Sequence, residues 1–430
     1  MSATLRRVMA ERPQISRRSL TNGLRIVFAP NHAVPVVGVS VTYAVGSANE
    51  VAGRTGLAHL FEHMMFQGSA NVAKSEHVTA IEATGGDADA NTGWDTTTYI
   101  DVVPSHQLPL VVWLEAERMA SLSQAISQDT LDNQREVVKN ERQGDIDNVP
   151  YGDAEDRLFG LAFPSDHPYA HSLHGSDADL DAATLPEVRD FFTTHYLPNN
   201  AVLTVVGDFD PDEATGLVDR YFAPIPAGPA PNPVRPFPVA APSVRRAEVR
   251  DDVPAPKLYL GCLIEPFGTD GWATADFTAD LLTSGAASRL QRRLVRELRL
   301  ADDVVAAAYP LAAGNALLEI DVEASEEANP EEVEAALAAE LNRLTAEPPE
   351  EAELTRICLR RETDRAVAMQ EAGERADRIG NYAALLDEPE RFGQEAARDR
   401  AITPDAIAAL AAGPLSEPNR ISLWYLPSDE

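Results

Sequence analysis

The chain has 430 residues, 44% of them hydrophobic, which is enough apolar material for two domains of ordinary size. A formal net charge of −32 argues against nucleic acid as a partner, and no stretch approaches the length of a membrane span. Cys262 and Cys358 stand too far apart to form a metal or redox spacing, and the arginine-rich N-terminus lacks the apolar core of a secretory signal, so the expected location is the cytoplasm.

In chain order, Gly53 to Gly56 read as a turn and Leu57 to Phe66 as a helix, with Leu60, Phe61, Met64 and Met65 apolar and Gly68-Ser69 stopping it. This helix holds His59-Leu60-Phe61-Glu62-His63, the pattern H-x-x-E-H. Positions i and i+4 share a helix face, so both imidazoles can reach one metal ion, and Glu62 is placed to act as base on a water there. The competing reading is a core helix whose histidines bond to backbone carbonyls. A catalytic zinc site usually takes three protein ligands. The next helix with suitable donors runs from about Thr130 to Gly144, with Asp129 as N-cap and Leu131, Val137 and Val138 as its apolar stripe. Glu136 and Glu141 are its two glutamates; taken alone, each reads as an ordinary charged helix face. Asp145 to Asn148 reads as a loop. Asp208-Phe209-Asp210-Pro211-Asp212 starts like a calcium loop, but Glu213 stands where glycine is required, so it reads as a turn and a helix start.

Prolines crowd the region from Phe222 to Pro256 and predict a stiff linker over 226–250, with domains at 1–225 and 251–430. The second half reads as a strand over Lys257 to Ile264, a helix over Trp272 to Leu282, a further helix opened by Ser284 to Leu290, a strand over Leu317 to Glu323, acidic helices over Glu331 to Ala346 and Glu350 to Gln370, and a strand over Ile421 to Tyr425. All nine histidines lie between His32 and His195, so any metal chemistry belongs to the first half.

These segments together resemble the pitrilysin-type (M16) metallopeptidases, short bacterial members related to the mitochondrial processing peptidase beta subunit in particular. The resemblance begins at Leu20-Thr21-Asn22-Gly23-Leu24-Arg25-Ile26. It continues through Gly46-Ser47-Ala48-Asn49-Glu50, the segment Gly56 to Met64, and Gly85-Gly86 with Ala90, Thr92, Asp95, Thr97 and Tyr99. Gln134 to Glu141, Tyr196-Leu197-Pro198-Asn199-Asn200 and Val206-Gly207-Asp208-Phe209 complete it. It implies an α+β fold of two similar domains, each a mostly antiparallel sheet packed with helices, forming one half of a clamshell. It also implies one Zn2+ per chain held by His59, His63 and Glu141, with Glu62 as catalytic base. Gln134, where many members have glutamate, then stands behind the ligands on the face of Glu141, and Glu136 lies at the surface or behind them.

The resemblance places peptide substrate as an added strand along Ala88, Asp89, Ala90, Asn91 and Thr92, with Asp89 where the family often has asparagine. Clamshell members grip the substrate carbonyl with an arginine and a tyrosine; here the matching places hold Val295 and Asp302, and the nearby Arg296 and Arg299 read as helix-face salt-bridge residues. The expectation is therefore a zinc endopeptidase subunit for short or unfolded peptides, with processing or leader removal as a candidate role. It would be completed as a heterodimer by a second M16-like subunit that carries the arginine–tyrosine pair; a homodimer is the alternative. A non-catalytic structural subunit is the rival function. Neither nucleic acid nor membrane is expected as a partner.

Overall fold

The computed structural model describes residues 14–229 and 246–428. Six strands form one sheet: β1 (Ser16–Ser19), β2 (Arg25–Pro30), β3 (Val36–Tyr43), β4 (Asp87–Thr92), β5 (Thr97–Pro104) and β6 (Ala201–Gly207), in the order β1-β2-β6-β3-β5-β4. Five more form a second: β7 (Arg246–Asp251), β8 (Lys257–Ile264), β9 (Ala301–Ala308), β10 (Ala316–Ala324) and β11 (Arg420–Pro427), in the order β7-β11-β8-β10-β9. The helices used below are α1 (Leu57–Met64), α2 (Glu76–Glu82), α3 (Leu108–Ala125), α4 (Gln128–Arg142), α5 (Ala154–Ala162), α6 (Asp270–Thr283), α7 (Pro330–Ala346), α8 (Glu351–Ala368) and α9 (Ala372–Leu386).

The chain groups into two compact units that interleave along the sequence. Of the described residues, the first takes 14–140, 172–229 and 363–395; the second takes 141–171, 246–362 and 396–428. The expected ranges 1–225 and 251–430 follow the chain order of the strands, whereas helices cross between them: α5 packs on β8 and β11, and α9 packs on β3 and β6. Most of the expected linker, 230–245, lies outside the described residues, and its last residues, Arg246 to Arg250, belong to β7.

In the first unit, β3 is central and buried along almost its whole length, and its apolar residues Val37, Val39, Val41 and Tyr43 alternate with the small residues Gly38, Ser40 and Thr42 of the opposite face. One face of the sheet meets α1 and α3 through Val39, Val41, Leu60, Phe61, Val111 and Leu114. The other face meets α9 through Val27, Val202, Ala376 and Ile379. Here helix and sheet approach closely: a Cβ on Gly380 would stand 2.6 Å from Thr42 Oγ1, and Ser40 Oγ donates to Ala376 O at 2.9 Å. At the edge, β4 alternates exposed and half-buried residues, Asp87, Asp89 and Asn91 against Ala88, Ala90 and Thr92.

Among the described residues, the second unit repeats the plan without a counterpart of β1. β2 and β6 pair in parallel, as do β7 and β11; β6-β3-β5-β4 and β11-β8-β10-β9 are both antiparallel runs. The family's long duplication, invisible as a sequence repeat, is thus present as topology. β8 covers the residues expected, α7 and α8 differ from expectation by one or two residues at their ends, and the helix expected to open at Ser284 forms as a wide-turned segment, Gln291–Glu297. Among the described residues no helix is long and apolar enough to cross a membrane.

Candidate metal centre

Helix α1 owes its position to its two ends and one buried face. Four amide donors at a helix start have no partner within the helix. Here Glu50 accepts two of them, Gly56 N–H at 2.8 Å and Ala58 N–H at 2.7 Å. Burial lifts the Glu50 carboxyl to about 8 against the pull of these amides. Leu57, Leu60, Phe61 and Met64 face the core, with Phe61 stacked on Tyr196 at 4.4 Å and on Phe192 at 5.6 Å. Burying side chains of this size contributes roughly 1.5–3 kcal/mol each. That packing leaves His59, Glu62 and His63 together on the remaining face.

His59 Nε2 lies 3.2 Å from His63 Nε2. Helix α4 brings the third group. Leu131 and Val138 seat it in the first unit's core, and Arg135 ties it down by donating to Leu180 O and Ala183 O at 2.7 and 2.8 Å. Its start is capped reciprocally by Ser127 and Thr130, so Ser127 takes the N-cap place expected of Asp129, which lies inside the first turn. Glu141 stands in the last turn of this helix, and turns of the wider i→i+5 kind follow over Gln143–Asp147 where a loop was expected. One ligand atom each from His59, His63 and Glu141 lies within 4.8 Å of the others.

This donor set fits a zinc ion. Zinc–nitrogen bonds of about 2.0–2.1 Å in tetrahedral geometry separate two ligand nitrogens by about 3.3 Å, close to the imidazole spacing found. His59 is 5% exposed, and burial, reinforced by His63 and His174, pushes its pKa down to about 3, which keeps the ring neutral as a ligand must be.

Glu62 accepts a hydrogen bond from Thr92 Oγ1 at 2.5 Å. Thr92 ends β4, so the base is tied to the strand at the sheet's edge. Along that strand, Asp89 Oδ1 accepts from Ala90 N–H at 2.8 Å, and Asn91 lies near Asp377 of α9. Burial, with repulsion from Glu374, raises the Asp377 carboxyl to about 6.

The other residues named from sequence lie as follows. Gln134 is buried, but its amide donates to Asn133 Oδ1 at 2.9 Å rather than to a member of the His59–His63–Glu141 group. Glu136 is at the surface, 3.7 Å from Lys139. In the second unit Val295 is half-buried, and Asp302 accepts from Ser325 Oγ at 3.0 Å. Glu297 is paired by Arg292 and Arg293, at 3.7 and 3.0 Å, and neither Arg296 nor Arg299, read as helix-face salt-bridge residues, takes part in these pairs.

Two features escaped sequence reasoning. His174 stacks edge-on against His59, ring centroids 4.8 Å apart. Its loop is held against the start of α1 by Gly175, whose φ of +71° suits glycine and where a Cβ would meet Gly56 N at 2.4 Å. No local pattern around His174 marks it. The second is a buried group, His77, Asp101 and Glu115, whose ligand atoms also lie within 4.8 Å of one another. Here Arg118 already donates to both Glu115 oxygens at 2.5 Å and lies over the Tyr99 ring at 4.1 Å. A guanidinium thus occupies the cationic role, and the cluster joins α2, α3 and β5 inside the core.

Comparison with known proteins bears on the family and the fold. Residues 25–156 match the family model described as Insulinase (Peptidase family M16), and residues 182–360 match Peptidase M16 inactive domain. The chain is 32% identical over 296 residues to a Helicobacter pylori protein named zinc protease PqqE, a match covering 67% of this chain and 65% of that protein. A solved protease from Helicobacter pylori superimposes with a TM-score of 0.91 at 26% identity, covering 97% of this chain and all of that one. A peptidase M16 inactive domain from Pseudomonas fluorescens shares the fold, with a TM-score of 0.83 at 18% identity over 97% of this chain and 98% of that one.

Proposed function

The chain belongs to the peptidase M16 family, and we propose that it is the metal-binding subunit of a zinc endopeptidase acting on short or unfolded peptides. The observation that carries this reading is the convergence of His59, His63 and Glu141 with Glu62 between the two histidines on the same helix. The name of the Helicobacter pylori relative supports zinc as the ion. Zinc held by these three residues would polarise the scissile carbonyl and acidify the attacking water. Glu62 takes the proton of that water and returns it to the leaving amine.

Peptide enters as a strand on the open edge of β4, along Ala88 to Thr92. Asp89, which already accepts from Ala90 N–H, covers one edge donor and gives way to the peptide's carbonyl. With Val295 and Asp302 in the places of the family's arginine and tyrosine, the carbonyl grip comes from a second M16-like subunit. Trimming of a leader segment is one task such a pair performs. The structural-subunit alternative is the weaker reading, because such a role requires no convergent donors and no base.

Replacing Glu62 by glutamine tests the reading. Glu62→Gln removes the base and no ligand. Zinc content should remain that of the wild type while hydrolysis of a quenched generic peptide falls by on the order of a hundred- to ten-thousand-fold. Near-wild-type hydrolysis would remove Glu62 from the mechanism.

A further inference from the structure

The base of this site is tied to a strand outside its own helix. Glu62 carries three rotatable bonds, and a side chain of that freedom samples many orientations unless something outside fixes it. The fixing contact is Thr92, whose Oγ1 donates to Glu62 Oε2 at 2.5 Å, within the short range of hydroxyl–carboxylate bonds. Thr92 is itself firmly placed. It sits opposite Thr97 across the β4–β5 hairpin, which Gly93 N–H closes by donating to Thr96 O at 2.8 Å. Thr97 is fully buried and donates to Val45 O at 2.9 Å. A β-branched side chain on a strand pinned this way has few rotamers to choose from.

We infer that Thr92 is a positioning residue for the base: its hydroxyl fixes the Glu62 carboxylate and makes the orientation of that base depend on the order of the edge strand. The inference rests on the zinc-peptidase reading and adds to it a link between the strand where peptide would pair and the group that handles the proton. Thr92 is the last residue of that strand. A peptide added along Ala88 to Thr92 extends the sheet by one strand and steadies the backbone that carries the hydroxyl. Substrate binding and base alignment then reinforce one another, and a peptide that pairs with only the far end of β4 gains affinity without full turnover.

Two variants separate this from a structural role. Thr92→Val keeps the β-branched shape suited to a strand and removes only the hydroxyl; Thr92→Ser keeps the hydroxyl and removes a methyl. Both are measured beside the wild type, with the complementing subunit present, for zinc per chain, melting temperature and steady-state cleavage of a quenched generic peptide. Misplacement of a reacting group by about 1 Å costs on the order of a hundredfold. Thr92→Val should therefore lower kcat by about 10- to 100-fold with KM within about threefold of wild type, zinc and melting temperature unchanged, and Thr92→Ser should recover kcat to within about threefold. Wild-type kcat in Thr92→Val, or a rise in KM alone, overturns the inference while the peptidase reading stands. A wild-type protein that holds zinc poorly and cleaves nothing overturns the reading beneath it.

Discussion

In the first unit, the helix that follows β3 carries His59, Glu62 and His63 on one face. In the second, the helix that follows β8 carries Thr274, Thr278 and Thr283, and each hydroxyl returns to a carbonyl of its own helix, at 2.8, 2.6 and 2.9 Å. The two helices lead to edge strands, β4 and β9, at the same place in sheets of the same topology. What differs is where the polar groups are satisfied. Hydroxyls that bond to their own backbone complete a core, whereas His59 and His63 bring ligand atoms within 4.8 Å of one another and of Glu141, a spacing at which one ion could be held. The scaffold is common to both units; the chemistry follows from a few side chains set on one of them.

That contrast is sharpened most by restoring what the second unit lacks. On the proposed reading, in which Val295 and Asp302 take the places of the family's substrate grip, the chain alone should bind zinc yet cleave peptides slowly. Addition of a second M16-like subunit bearing the arginine and tyrosine should raise the rate by on the order of a hundredfold. Equal activity of the lone chain at low concentration, measured against the mixture, would assign the grip to this chain itself.

A smaller effect tests the support beneath the first edge strand. Asp377 has a carboxyl raised by burial to about 6, from 3.8. A raised acid favours the folded state fully below its unfolded value, and that contribution is lost as pH climbs through the folded one. The first unit should therefore lose about 1 kcal/mol of stability from this group between pH 5 and 8, and Asp377→Asn should flatten that slope. Urea midpoints across that range, compared between wild type and variant, provide the measurement; parallel curves would show that Asp377 does not titrate there.

Much of this was legible locally. The strand Lys257 to Ile264 is found with both ends as read, because a run of apolar and aromatic residues bounded by proline and charge is a strong local signal. The H-x-x-E-H spacing likewise carries its own geometry. Helix α1 ends at Met64, two residues short of the expected Phe66, and α4 begins at Ser127's cap, since end residues depend on which hydroxyl reaches which amide. Glu50 at the start of α1, His174 against His59 and the Thr92–Glu62 bond join residues far apart in sequence, and no period or spacing encodes them. The exchange of α5 and α9 between the units has the same cause: an apolar stripe says that a helix packs, not on which sheet.

The central claim is that one metal site is built from His59, His63 and Glu141, and zinc retention after mild chelation tests it most directly. Wild type and Glu136→Ala should each keep one zinc per chain. Glu141→Ala should lose it, with affinity down by more than the roughly 10- to 100-fold seen when only a residue behind the ligands is changed. Equal zinc in the Glu141→Ala and Glu136→Ala proteins would contradict the site.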